Sequence, residues 1–285
     1  MKILYFFILA TSLLVVLSGS LTETLSAEPN SQTRIIGGQP AVDTQFPYQV
    51  RLTVYGFLVS SFLLIGWCGG AIINEEWTLT AAHCITRDPN PLPYVVVYVY
   101  VEAGSVIANQ ARQKTSVPIQ NIFVHPDYDS STRDSDIALL KTKPFDLGTA
   151  YVKAIKLPSY STDRDKYAGW TATVAGFGVT VNSMTASPSN RMNFIQLTVI
   201  TRAACEAEYS TVIETKAICA EDLTPPKSTI CNYDSGGALA VVESGETTVI
   251  GTVSFIYAGE CDGSAQSFAY IPELVNWITG IMNSN

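Results

Sequence analysis

Apolar and polar residues along this chain alternate far more often than they cycle with a helical period. In "YVVVYVYVEAG" (Tyr94–Gly104) valine and tyrosine trade places, the two-residue period of a strand with one face in a core. "WTATVAGFG" (Trp170–Gly178) and "TTVIGTVSFI" (Thr247–Ile256) are rich in β-branched and aromatic residues and also read as strands. Turn-forming clusters, "RDPNPLP" (Arg87–Pro93) and "NSMTASPSN" (Asn182–Asn190), break up the runs. Helical spacing emerges only at the end, in "PELVNWITGIMN". There Leu274, Ile278 and Ile281 recur on one face behind Pro272. The pattern predicts an all-β fold of barrels or sandwiches, closed by a helix over about 273–282.

One apolar run is of another kind. Met1 and Lys2 precede Ile3–Leu17, interrupted only by Thr11 and Ser12, and Ser18-Gly19-Ser20 follows. Basic start, short apolar stretch and small residues make 1–20 a secretory signal peptide. A membrane anchor would need about 20 apolar residues, so no membrane partner is expected and the protein reads as exported. Six cysteines in an exported chain point to disulfides, with 15 possible pairings. A net charge of -8 argues against nucleic acid, which attracts basic patches. From Ile35 onward 251 residues remain, enough for one large β domain or two small ones.

Three stretches carry candidate chemistry: "LTAAHC" with His83, "DSDIALL" with Asp136, and "DSGG" with Ser235. A serine hydroxyl is a poor nucleophile unless a base lies within hydrogen-bond reach and a third group orients that base. Alone, each residue reads as structural: a histidine beside a cysteine, a strand-edge aspartate, a serine in a turn. Their chain order, His then Asp then Ser, supplies base, orienter and nucleophile together. No Gly-x-Ser-x-Gly elbow of a lipid or ester hydrolase occurs.

With these residues the chain resembles the trypsin/chymotrypsin family of serine endopeptidases, from Ile35 to the terminal helix. "RIIGG" resembles the activation junction, and "WCGGAIINEEWTLTAAHC" the strand-turn-strand that holds the histidine. "VAGFG" and "TVSFI" resemble later strands, with Phe177 and Phe255 where the family usually has Trp. The resemblance implies two packed antiparallel six-stranded β-barrels, the first over about 35–150 and the second over about 151–271. The active site would lie in the cleft between them. It implies His83, Asp136 and Ser235 as catalytic residues, Ser254 beside the aspartate and at the substrate pocket, and the disulfides Cys68–Cys84, Cys205–Cys219 and Cys231–Cys261. It further implies an activation propeptide, 21–34, cut after Arg34 by a trypsin-like protease. The new ammonium of Ile35 would then pair with Asp234. Protein or peptide substrates, protein inhibitors and a monomeric enzyme are expected. No cofactor is expected, nor a metal: relatives with a calcium loop use carboxylates after Gly104, and none occurs from Ala103 to Pro126.

The departures are informative. Tyr233 stands where the family usually has Gly, whose N–H forms the oxyanion hole with that of Ser235. Tyrosine keeps the donor, but a Cβ resists the backbone angles glycine tolerates, by about 1–2 kcal/mol. A donor lost altogether would cost about 10²–10³ in rate, which leaves substantial catalysis. An active enzyme is therefore expected; the alternative is a catalytically impaired homologue that acts as a binding or regulatory protein. The Tyr233 ring is also expected to obstruct substrate-like inhibitors more than flexible substrates. At the primary pocket, Thr229 replaces the floor aspartate of Lys/Arg-cleaving relatives. Ile256 and Gln266 fall at wall positions that are Gly in wide pockets. Together they imply small or medium apolar residues at the cleavage site. Latency is open to direct test: Arg34→Gln is expected to be exported yet inactive toward peptide substrates, and full activity would refute it.

Overall fold

Alternation along the chain becomes two antiparallel sheets. The computed structural model describes residues 35–58, 61–86, 94–183, 186–209, 216–256, 261 and 263–285. The expected signal peptide, the propeptide with Arg34, and the turn Arg87–Pro93 lie outside the described residues. After a two-residue strand, β1 (Gln39–Pro40), come β2 (Gln49–Leu58), β3 (Ser61–Ile72), β4 (Trp77–Thr80) and β5 (Tyr94–Ala103). Then follow β6 (Gln113–Pro118), β7 (Ile122–Val124) and β8 (Ala138–Lys141). Strands β2 to β8 form one sheet in the order β6-β5-β2-β3-β4-β8-β7. Val99 and Val101 of β5 are fully buried opposite Val54 and Leu52 of β2, while Tyr98 and Tyr100 face the other way, half-buried.

This first sheet departs from the expected closed six-stranded barrel. It has seven strands, and its edges β6 and β7 share no ladder among the described residues. The join explains why. Pro118 ends β6 without an N–H to donate, and one 3₁₀ turn, Ile119–Asn121, leads directly into β7. Edges separated by three residues must lie near each other, so the sheet is curled and its rim is linked by backbone alone.

The second sheet contains β9 (Thr171–Gly176), β10 (Asn193–Ile200), β11 (Ala217–Glu221), β12 (Ala238–Glu243), β13 (Glu246–Ile256) and β14 (Gln266–Tyr270). These six close into a ring, because β12 pairs back onto β9 with Leu239 opposite Val174 and Ala240 opposite Thr173. Strand β1 attaches outside the ring, Gln39 opposite Phe194 of β10. The segment after Ile35 thus joins the second sheet, not the first as the sequence partition had it. The physical reason is burial: the Ile35 side chain is fully enclosed in the second core with Tyr167, Val199 and Ile230.

Among the described residues, three α-helices complete the fold. The one-turn α1 (His83–Thr86) follows β4; α2 (Arg202–Tyr209) follows β10; α3 (Ile271–Ser284) ends the chain. Helix α2 lacks a long apolar stripe, since only Cys205 and Tyr209 are buried. Its start is held by Thr201 Oγ1, which accepts from Ala204 N at 3.2 Å, and by the Arg202–Glu206 pair. Helix α3 inserts Ile271, Leu274 and Ile278 into a cluster with Trp77, Leu79 and Leu139 of the first sheet and Ala238 and Val249 of the second.

The sheets meet closely at a point where side chains are missing. Gly69 N on β3 donates to the Ser235 carbonyl at 2.7 Å. A Cβ on Gly236, whose φ is +82°, would fall 2.3 Å from Thr80 Oγ1 and 2.5 Å from the Gly69 carbonyl. Only glycine fits that seam.

Candidate active site

The chain leaves β4 through Ala81 and Ala82, both fully buried, so His83 is the first side chain with room to turn outward. Cys84 anchors α1 to β3 through its disulfide with Cys68. Asp136 sits just before β8 with no exposure, after Ser135, whose φ is +55°. Lys216 steadies that turn, donating from Nζ to Ser135 Oγ at 2.8 Å and from N to Asp134 Oδ1 at 3.1 Å.

Three donors converge on the Asp136 carboxylate. His83 Nδ1 lies 2.7 Å from Oδ2, His83 N donates to Oδ1 at 2.9 Å, and Ser254 Oγ donates to Oδ2 at 2.6 Å. Burial alone would raise the carboxyl pKa; the His83 charge and the hydrogen bonds from His83 and Ser254 outweigh it and hold the group below its ordinary value. An ionised carboxylate only accepts, so Nδ1 carries a proton whether the ring is charged or neutral, and in the neutral ring Nε2 holds the lone pair. Ser254 reaches Asp136 from the other sheet because the β13–β14 register shifts between Val253 and Phe255, leaving Ser254 out of the ladder. Its hydroxyl belongs to this network.

Ser235 is brought to the same place by the glycine seam. His83 Nε2 lies 3.9 Å from Cys84 Sγ, and that sulfur lies 3.7 Å from the Ser235 carbonyl oxygen. The Ser235 turn reverses sharply: Tyr233 and Gly236 both have positive φ, +76° and +82°. Gly236 N donates to Val253 O at 2.9 Å and Gly237 N to Asp234 O at 3.0 Å. Neither the Tyr233 nor the Ser235 N–H has a hydrogen-bond partner among the described residues. The Tyr233 ring packs edge to face on Trp67, centroids 5.6 Å apart.

Asp234 points away from that cleft into the protein, 1% exposed. Gly178 N donates to its Oδ1 at 2.8 Å and Cys231 N to its Oδ2 at 3.1 Å, and no cation pairs with it among the described residues. Burial pushes its pKa up to about 7 despite those two bonds. A Cβ on Gly176 or Gly178 would come within 2.1 Å of the carboxylate, so both must be glycine. Nearby, Ile36 O accepts from Thr229 N at 2.9 Å. Thr229 is buried, and Gln266 of β14 reaches the next residue: its Oε1 accepts from Ile230 N at 3.1 Å, and Gln266 has no exposure. The Ile256 side chain lies outside the described residues; its backbone pairs with Gln266.

The remaining cysteines pair as Cys205–Cys219 and Cys231–Cys261. Cys68, His83 and Cys84 cluster within metal-ligand reach, but with both sulfurs in a disulfide the group offers a single imidazole. Sequence reasoning missed Trp67, which reads as an ordinary core aromatic, and the Lys216 brace. The need for Gly176 and Gly178 could have been suspected from the Gly-x-Gly in "VAGFG".

A closed β-barrel against a curled sheet, with an oriented imidazole, its buried carboxylate and the Ser235 backbone carbonyl near the seam, is the architecture of the chymotrypsin fold. Comparison with known proteins narrows the class. The sequence model of the family described as Trypsin matches residues 35–278. Serine protease 1 and Serine protease 2 of Drosophila melanogaster are each 30% identical over 255 residues, 88% of this chain and 87% of theirs. The solved structure of HL collagenase superposes with a TM-score of 0.72 at 28% identity, covering 87% of this chain and 99% of that one. The chain belongs to the trypsin family and is a serine endopeptidase.

A raised carboxyl pKa means the folded chain holds its proton where the unfolded chain has lost it. Asp234 therefore contributes stability below about pH 4 that is lost as pH rises toward 7. In the uncut Arg34→Gln protein, melting temperature should fall more steeply between pH 4 and 7 than in Arg34→Gln/Asp234→Asn. Parallel curves in thermal unfolding would remove Asp234 from this account.

Proposed function

We propose that the protein is exported as a latent precursor and, once cut after Arg34, hydrolyses peptide bonds through His83, Asp136 and Ser235. The observation that carries this reading is the oriented imidazole: Nδ1 committed to a buried carboxylate, with Nε2 beside the disulfide that also touches Ser235. Ser235 Oγ attacks the scissile carbonyl carbon as its proton passes to His83 Nε2. His83 returns the proton to the leaving amine as the C–N bond breaks, giving an acyl-enzyme. Water then attacks with the same base and releases the acid. The two unpaired N–H groups, of Tyr233 and Ser235, receive the oxyanion. Asp136 stays ionised and stabilises the imidazolium.

Cleavage supplies an ammonium at Ile35, and Asp234 is the buried carboxylate that needs one. Pairing lowers the Asp234 pKa and fixes the loop from Cys231 to Ala238. The leader and the disulfides support export. Gln266 beside Thr229 favours a pocket for small or medium apolar side chains, with no floor charge for Lys or Arg. The alternative, an impaired homologue, is not favoured, since nothing in the gathered set is missing.

A fluorophosphonate probe should label the trimmed protein at Ser235 and leave Ser235→Ala unlabelled; an unlabelled wild type would sink the catalytic reading. Gln266→Gly should open the pocket and raise kcat/KM for aromatic over alanine substrates by about ten-fold or more. An unchanged preference in a peptide library would remove Gln266 from the pocket.

A further inference from the structure

Tyr233 keeps a left-handed backbone, φ +76°, although it carries a Cβ that resists this conformation. Something must oppose its return to ordinary angles. The ring has two sets of neighbours. Val179 and the Cys231–Cys261 disulfide lie on one side; on another, Trp67 meets it edge to face, with planes at 78°. Trp67 belongs to the first sheet and Tyr233 to the loop of the second, so the contact ties that loop to a rigid strand. Trp67 is itself held. The Arg51 guanidinium lies 5.8 Å from its ring centroid, within cation–π range. Arg51 donates to Asn109 Oδ1 at 2.9 Å and faces Glu102 Oε2 at 3.5 Å, with under a tenth of either charged side chain exposed.

We infer that Trp67, backed by Arg51, is a positioning residue: its ring clamps Tyr233 in the left-handed conformation that keeps the Tyr233 and Ser235 N–H groups side by side. The inference rests on the oxyanion role proposed above. It has a distinctive corollary. Glycine at 233 would adopt the same angles unaided, so the clamp matters only while residue 233 bears a side chain.

The test compares trimmed wild type, Trp67→Ala, Tyr233→Gly and the double variant on a peptide with a small chromogenic leaving group, which removes substrate contacts beyond the scissile bond. Trp67→Ala should lower kcat by about ten-fold, with KM changed less than about two-fold. Trp67→Phe should restore most of the loss. In the Tyr233→Gly background the same Trp67→Ala change should leave kcat within about two-fold. Equal losses in both backgrounds, or no loss in the first, would overturn the clamp. A crystal structure of Trp67→Ala tests the same point independently of activity: Tyr233 φ should leave the positive region, and a φ still near +76° overturns the inference. That readout holds even where the wild type neither cleaves nor labels at Ser235, the separate result that defeats the proposed function.

Discussion

A fully buried charge organises this molecule. Asp136 has no contact with water, and an unpaired carboxylate there would be neutral or ruinous to the fold. It stays ionised because three donors reach it: two from His83 in the first sheet's connection and one from Ser254 in the second sheet. Meeting that demand fixes the tautomer of the imidazole, the entry of α1 and the relative placement of the sheets at one stroke. The β13 bulge and the Lys216 brace serve the same end, since each puts a backbone segment where a donor or turn is required.

The other buried carboxylate makes an instructive contrast. Asp234 is as deeply enclosed, yet only two backbone N–H groups meet it, and its pKa climbs to about 7. The difference is partners, not depth. One aspartate has its full set of partners; the other, directly before Ser235, has an unfilled demand for positive charge. Burial of charge thus sets both a finished network and an unfinished one in the same fold.

Strand content was readable because alternation is a local property: β5, β9 and β13 fall on the quoted runs. Closure was not, because whether β6 meets β7 is decided by Pro118 and a three-residue turn rather than by hydrophobic period. Helix α2 escaped notice for a related reason, being held by a cap, an ion pair and two buried side chains. The position of the β1 segment was hidden as well, since sequence order says nothing about which core Ile35 enters. At the site, the residue types carried the chemistry, and the Tyr-for-Gly exchange flagged backbone strain correctly, as φ at Tyr233 is positive. The partner of that tyrosine was beyond reach, because Trp67 becomes its neighbour only once the sheets dock.

Helix α3 has a consequence for how the polypeptide is made. Its apolar face covers Trp77, Leu79 and Leu139, residues synthesised well over a hundred positions earlier. During translation the N-terminal half emerges with that face bare, and it must wait for α3 before the wall is sealed. The helix thus joins the two sheets through one shared apolar cluster. Contacts of such long sequence separation make slow acquisition of the native state the natural expectation.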